Sequence, residues 1–324
     1  MKKQPLPLRA LCLLLALLLL CALFGACGSP SGPKIEENTG ENAATYPYVV
    51  HTKSAALYLA AADIELLGEE AFYEGLYAIL ENLEQDFADA REALKGHISS
   101  DVPPVEIRTD FSGRAGISET AGAAYNEQRN FIKLFSGWDT ACFSLLHEYV
   151  HYLTLHCAQQ PASRGLYAEG AANYISMIVC KNRMARSVNC AIPEENLEFF
   201  RSKGAWDESE DCLDPMKYYY GTAAQYSLGG MIGYEYFSVK DITEMYTEEA
   251  HRHPGVWTVS HFEAASIMAW LVESFGRDTV LENLSTAPED FETVYGLPFS
   301  EAYRQWAIWN MDQCAELGLS VGIG

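Results

Sequence analysis

The sequence predicts an α+β fold, in which strands and helices in the first half of the chain precede a mostly helical second half. Three observations support this prediction: apolar residues recur at helical spacing between Phe72 and Phe87, two segments near residues 105–109 and 130–135 alternate like strands, and helical patterns dominate after residue 139. With 324 residues and 49% apolar composition, the chain can bury a core, which excludes a disordered protein.

The start of the chain is predicted to be an export signal. Basic residues precede an apolar run from Leu11 to Phe24, which is too short to span a bilayer and is typical of a secretory signal peptide. The run ends in Leu-Phe-Gly-Ala-Cys at residues 23–27, which resembles the lipobox of bacterial lipoproteins. The resemblance implies that residues 1–26 are a lipoprotein signal peptide and that lipidated Cys27 anchors the protein outside the bacterial cell membrane. Simple cleavage before Cys27 and full secretion is the alternative.

The rest of the chain is predicted to divide into a tether and a folded part. Residues 27–45 are rich in Gly, Ser, Pro, Asn and Glu, which predicts a flexible, solvated tether. No internal repeat or second linker follows. Residues 46–324 are therefore predicted to form one large domain or two closely packed lobes, an N-terminal lobe over about 46–158 and a helical C-terminal lobe over about 159–324.

The elements of the first lobe follow from local patterns. One face of the first long helix consists of apolar residues spaced three and four apart, and Gly96 is its predicted end. This face comprises Phe72, Leu76, Ile79, Leu80, Leu83 and Phe87. A strand is predicted at Val105–Thr109, after two prolines, and a second strand at Asn130–Phe135. We expect the second strand to be an edge of the sheet, to which an extended peptide could add.

The helix that follows contains the motif with the clearest chemistry. Asp139 and Thr140 are good N-cap residues for this helix. His147 and His151 belong to an H-E-x-x-H motif and lie four residues apart, so they project from the same side of the helix. Two imidazoles so placed can bind one Zn²⁺ at about 2.0–2.1 Å each, and Glu148 can reach a water at the metal without being a ligand. Two surface histidines on an ordinary helix are the alternative.

A third ligand is required, because a catalytic zinc site takes three protein ligands and keeps the fourth position for water. The candidate is Glu169, which begins an E-G-x-A-x-Y segment far enough from His151 for a loop and a second, crossing helix. H-E-x-x-H followed by this segment resembles the gluzincin metallopeptidases and is similar to compact bacterial peptidase-MA-like domains. The resemblance covers about residues 120–310 and implies that Glu169 is the third zinc ligand. A solvated glutamate on a helix face is the alternative.

The resemblance also implies a zincin-like fold, one Zn²⁺ per chain, and hydrolysis of peptide bonds with Glu148 as the general base. Residues 260–263 have the form of a capping box that opens a helix, and family members commonly have a Tyr at the place of His261. By similarity, His261 would donate a hydrogen bond to the developing oxyanion. Tyr220 and Tyr226 are alternative donors, and a plain surface histidine is the alternative for His261.

The charge of the chain limits its partners. With 22 Lys and Arg against 44 Asp and Glu, the net charge is −22, which argues against a nucleic-acid partner because phosphate binding needs a basic patch. The expected partners are a peptide or protein substrate and the membrane, through Cys27; the oligomeric state stays open. A zinc-binding surface lipoprotein without turnover is the alternative function, and a structural surface protein with no metal is a second alternative.

Six cysteines follow Cys27, an even number that suits an oxidising compartment. They are Cys142, Cys157, Cys180, Cys190, Cys212 and Cys314. Fifteen residues of one helix span about 22 Å, whereas a disulfide needs Cα atoms within about 7 Å, so Cys142 and Cys157 are not expected to pair. A Cys180–Cys190 bridge is one candidate among the remaining pairings.

Overall fold

The computed structural model describes residues 34–111, 122–135, 137–184, 201, 206–207, 212–213, 254–316 and 318. Within these residues the protein is a mixed α/β structure, in which six strands before residue 135 form one sheet and the later residues are mostly helical. This agrees with the predicted order of strands and helices. The predicted signal peptide and Cys27 lie outside the described residues.

The sheet is mixed, with strand order β1-β2-β3-β4-β6-β5. β4 lies parallel to both β3 and β6, and the other neighbouring pairs are antiparallel. The strands are β1 (Ile35–Glu37), β2 (Tyr48–His51), β3 (Ala55–Leu59), β4 (Val105–Thr109), β5 (Ala123–Asn126) and β6 (Phe131–Leu134). A separate pair, β7 (Trp206–Asp207) and β8 (Cys212–Leu213), is antiparallel.

The prediction that the strand near residues 130–135 is a sheet edge is wrong. β6 lies between β4 and β5, because the chain first runs along β5 and then turns back through residues 127–130. This hairpin pairs Tyr125 with Ile132 and leaves β5 as the outer strand. The edge nearest the candidate site is therefore β5.

The predicted tether also ends earlier than residue 45. Ile35–Glu37 pairs with β2 as an outer strand of the sheet. The turn that follows is ordered by Asn38, whose Nδ2 donates to the carbonyl oxygen of Tyr46 at 2.7 Å and to Oδ1 of Asn42 at 2.8 Å. The polar composition of this segment predicted a solvated tether, but the side chains of Asn38 and Asn42 form hydrogen bonds that stabilise a turn.

Helices cover one side of the sheet and form the second half of the described chain. They are α1 (Ala61–Leu67), α2 (Glu69–Ala93), α3 (Trp138–His151), α4 (Leu166–Asn173), α5 (Pro254–Phe275), α6 (Arg277–Glu282), α7 (Phe291–Tyr295) and α8 (Phe299–Glu316). π-Helical turns at Tyr152–Cys157 and Tyr174–Val179 extend α3 and α4, and a 3₁₀ turn at Pro288–Asp290 precedes α7.

The core lies between the sheet, α2 and α3. Every residue of the predicted apolar face of α2 is buried, and Gly96 adopts a positive φ of 91° just beyond the end of the helix, so both predictions are confirmed. Phe87 of α2 stacks on Tyr149 of α3, with ring centroids 3.7 Å apart. These contacts fix the helix that carries the H-E-x-x-H motif against the rest of the domain.

α3 begins earlier than predicted. Its N-cap is Gly137, so Asp139 and Thr140 lie inside the first turn. The buried indole of Trp138 packs against Phe72, at a centroid distance of 5.2 Å, and against Phe111. This aromatic contact anchors the start of the helix without a side-chain cap, which the capping preferences of Asp and Thr did not reveal.

α5 also begins earlier than predicted, at Pro254, so residues 260–263 lie within the helix and are not its capping box. Proline is favoured in the first turn of a helix, because its nitrogen needs no intrahelical acceptor there. No helix in the described part of the chain is long and apolar enough to cross a membrane.

In the described part of the chain, Cys157 and Cys180 are buried free thiols, and Cys314 of α8 is buried as well. Cys157 lies in the π-helical turn after α3, and Cys180 lies just beyond the turn after α4. The candidate Cys180–Cys190 bridge conflicts with the free thiol of Cys180, and Cys190 lies outside the described residues. Burial raises the pKa of the Cys180 thiol to about 12, which keeps it protonated and unreactive at neutral pH.

Candidate metal centre

α3 brings the two histidines of the H-E-x-x-H motif together, one turn apart. The Nε2 atoms of His147 and His151 lie 3.0 Å from each other. Their side chains are only 13% and 9% exposed, because the neighbouring Leu146, Tyr149 and Val150 are in the core. The alternative of two ordinary surface histidines is therefore wrong.

Glu169 of α4 completes the cluster. Its Oε2 lies 3.2 Å from His147 Nε2 and 3.4 Å from His151 Nε2, and its side chain is only 6% exposed. Burial raises the pKa of this carboxyl, but the charge of His151 and hydrogen bonds from the histidines outweigh it, so the pKa is held well below its usual range. Glu169 is thus a buried carboxylate of the site and not a solvated residue.

These three donors fit a zinc ion. The donor atoms of His147, His151 and Glu169 all lie within 4.8 Å of one another. Ligands about 2.0–2.1 Å from a tetrahedral zinc are about 3.3–3.4 Å from each other, close to the separations of 3.0, 3.2 and 3.4 Å in the cluster. Two imidazoles and one carboxylate are a common zinc donor set, and three protein ligands leave a fourth position for water.

Asn173, one turn after Glu169 on α4, determines which nitrogen of His147 faces the cluster. Its Nδ2 donates to the Glu169 carbonyl oxygen at 2.9 Å, and its Oδ1 lies 3.1 Å from Nδ1 of His147. Because a carbonyl oxygen can only accept, the amide oxygen must face the imidazole, so His147 donates from Nδ1. In its neutral form His147 therefore carries its proton on Nδ1, and its Nε2 presents the lone pair that a metal ligand requires.

Glu148 lies beside the cluster and is fixed by the sheet. Its Oε2 accepts a hydrogen bond of 2.7 Å from the backbone N–H of Tyr125 in β5. Burial is the main cause that raises the pKa of Glu148 to about 7; the charge of Glu169 adds to this rise, and His147 opposes it. A carboxyl group with this pKa can both accept and release a proton at neutral pH.

His261 reaches the same cluster from α5. Its Nε2 lies 3.3 Å from Oε2 of Glu169, and its ring centroid is 6.3 Å from that of His147. With a side chain that is 18% exposed, His261 borders the site and is not an outlying surface residue. Tyr220 and Tyr226, the alternative oxyanion donors, lie outside the described residues, so the choice among the three stays a prediction.

Two residues that position the site were not predicted from the sequence. Asn173 lies four residues after Glu169, on the same side of α4, so its helical spacing was a usable signal. Tyr125 contributes only its backbone N–H to Glu148, and no residue type predicts such a contact. The position of β5 beside α3 had to come from the structure.

Comparisons with known proteins add no family assignment. The sequence matches no family model, and neither a curated protein nor a solved structure is detectably similar to it. The resemblance to gluzincin peptidases therefore depends on the motifs and on the geometry of the site described above.

Proposed function

We propose that this protein is a zinc-dependent metallopeptidase, with His147, His151 and Glu169 as metal ligands and Glu148 as the general base. One observation above all supports this proposal: Glu169 of α4 reaches both histidines of α3, and Tyr125 of β5 holds Glu148 beside them in the same buried place. A structural zinc site needs ligands only, whereas Glu148 is oriented beside the ligands and is not one of them.

The chemistry divides between the metal and the chain. A bound Zn²⁺ would supply polarisation of the scissile carbonyl and a lowered pKa for the attacking water. Glu148 takes the proton of that water on a carboxylate oxygen and then delivers the same proton to the departing amine nitrogen. The hydrogen bond from Tyr125 to Oε2 keeps the carboxylate aimed at the site during both transfers.

The substrate would lie along β5. The N–H of Tyr125 points toward Glu148 and not toward β6, so the outer edge of β5 faces α3 and the cluster. An extended peptide that adds to this edge would run past the metal ligands. From α5, His261 would donate to the oxyanion from Nε2, because a neutral imidazole keeps one N–H donor.

The experiment is a comparison of wild-type protein and Glu148→Gln with a peptide library in the presence of zinc. The substitution keeps the shape of residue 148 and its acceptor for Tyr125 but removes the base. We expect peptide cleavage by the wild type, about a 10²–10⁴-fold lower rate in the variant, and equal zinc content in both. Zinc binding without cleavage by the wild type would favour the alternative of a non-catalytic zinc-binding surface protein.

We further propose that the enzyme acts outside the cytoplasm, anchored through lipid on Cys27. The support is the lipobox-like sequence at residues 23–27. Mass spectrometry of the mature N-terminus tests this proposal: a diacylglyceryl-modified Cys27 is expected, and an unmodified Cys27 at the N-terminus would indicate secretion.

A further inference from the structure

α4 and α5 cross unusually closely beside the metal ligands. A Cβ atom on Gly170, the residue after Glu169, would lie 2.9 Å from the carbonyl oxygen of Ala264 and 3.4 Å from its carbonyl carbon. The same atom would lie 3.2 Å from Cε of Met268, which is buried. No side chain larger than hydrogen fits between the two helices here without moving one of them.

The backbone conformation of Gly170 does not explain the glycine. Gly170 lies inside α4 and has no positive φ, so an alanine could adopt the same conformation. A glycine inside a helix costs about 1 kcal/mol relative to alanine. The feature that requires glycine is the approach of the α5 backbone at Ala264.

This contact lies one helical turn from His261. Ala264 follows His261 by three residues on the rigid helix α5, and the imidazole of His261 reaches Glu169, the neighbour of Gly170. The separation of the two helices at Gly170 therefore sets how far the His261 ring lies from the metal ligands. An α5 helix held further away would carry the ring out of the site.

We propose that Gly170 is a positioning residue for the reaction: the absence of a side chain lets α5 approach closely enough for His261 to act on the substrate. This inference depends on the proposed function, because it assumes that His261 contributes to turnover. In this proposal Gly170, which follows the third ligand in the chain, acts through His261 and not through the metal.

The expected size of the effect follows from the geometry. An ordinary contact begins near 3.4 Å, so a methyl group at residue 170 requires about 0.5 Å of displacement at Ala264. Because a misplacement of 1 Å can cost about 100-fold in rate, we expect Gly170→Ala to lower kcat about three- to tenfold with KM little changed. Zinc affinity should stay within about twofold, because Gly170 itself binds no metal and the three ligands His147, His151 and Glu169 keep their places on α3 and α4.

The experiment is a double-mutant cycle with Gly170→Ala and His261→Phe, assayed with the zinc-loaded protein. If Gly170 acts through His261, the alanine costs three- to tenfold in the wild type and nothing further in the His261→Phe background. Met268→Leu is the matched control, because it alters the same helix contact without placing an atom against the Ala264 backbone; its kcat should equal that of the wild type.

A second readout does not require activity. With Co²⁺ in place of zinc, the ring protons of His261 are broadened by the paramagnetic ion, and this broadening falls steeply with distance. Gly170→Ala should reduce it, and Met268→Leu should not. If no peptide is cleaved by the wild type, the proposed function fails while the cobalt experiment still tests the position of His261.

Three results would overturn the proposal. The first is an equal effect of Gly170→Ala with and without His261, and the second is unchanged cobalt broadening. The third is a Gly170→Ala protein that does not fold or that loses zinc, because Gly170 would then serve folding or the metal site and not the placement of His261.

Discussion

Glu148 should destabilise the metal-free protein, and replacing it by glutamine should make that protein more stable at alkaline pH. The side chain is buried beside a second carboxylate, Glu169, and burial is the main reason that its pKa is raised to about 7. Ionisation of Glu148 therefore costs free energy in the folded protein but not in the unfolded chain. Glutamine has the same shape and can still accept the hydrogen bond from Tyr125, but it carries no charge.

The pKa difference gives the magnitude. The unfolded chain ionises Glu148 near the ordinary value of 4.5 and the folded protein near 7, so stability is lost as the pH rises between these two values. At 1.36 kcal/mol for each pH unit between them, the loss is complete above pH 7 and amounts to about 3 kcal/mol. We therefore expect Glu148→Gln to raise the free energy of unfolding by about 2–3 kcal/mol at pH 8 and by less than about 1 kcal/mol at pH 5.

The assay is urea unfolding of the chelator-treated proteins at pH 5 and pH 8. Glu84→Gln is the matched control, because it makes the same chemical change at a carboxylate whose pKa is lowered and not raised. Glu84 accepts hydrogen bonds from Ser54 N at 2.9 Å and Ser54 Oγ at 2.8 Å, and although burial raises the pKa of Glu84, these bonds and one from Thr52 lower it overall. The control should therefore lose about 1 kcal/mol or less at pH 8.

One result would refute this reasoning. If Glu148→Gln is no more stable than the wild type at pH 8 without metal, burial and the charge of Glu169 do not disfavour the ionised form of Glu148. Glu148 could then not have the raised pKa that suits a general base at neutral pH.

Three further predictions concern the hydrogen-bond partner of a metal ligand, a buried ion pair in the fold, and the effect of zinc on stability. Asn173→Leu should weaken zinc binding about 10–100-fold in a chelator competition, because His147 loses the acceptor that fixes its Nδ1–H tautomer; Asn173→Asp keeps this acceptor, loses only the donor to the Glu169 carbonyl oxygen, and should weaken binding less. Asp86→Ala should lower the free energy of unfolding by about 2–4 kcal/mol in urea, because the buried carboxylate accepts from Met184 N at 2.8 Å and pairs with Arg183; a loss under 0.5 kcal/mol would contradict this. Zinc at 100 times its Kd should stabilise the folded protein by about 3 kcal/mol, seen as a higher Tm, and should not change the Tm of a variant without the ligands.

The parts of the fold that sequence predicted well are those fixed by short-range patterns. The apolar face of α2 and the placement of His147 and His151 on one side of α3 follow from helical spacing alone. Glu169 could be proposed because its motif stands close behind the first in the chain. For the two helices, the spacing of residues in the sequence is the same as the spacing of side chains along one face of the helix.

The parts that were predicted wrongly or missed depend on contacts between distant segments. The order of β5 and β6 in the sheet is set by a hairpin that covers one edge of β6, and no residue in either strand reveals which of them is outermost. The approach of His261 to Glu169 joins residues 92 positions apart and depends on the close crossing at Gly170. Long-range contacts of this kind have no local period.

The most direct test of the account is a count of zinc per chain in purified protein, together with X-ray absorption at the zinc edge. We predict about one zinc per wild-type chain, bound by two nitrogen ligands and by oxygen, and close to none in His147→Ala/His151→Ala/Glu169→Ala. Equal zinc in the wild type and the triple variant, or no zinc in either, would contradict the claim that these three side chains form a metal centre.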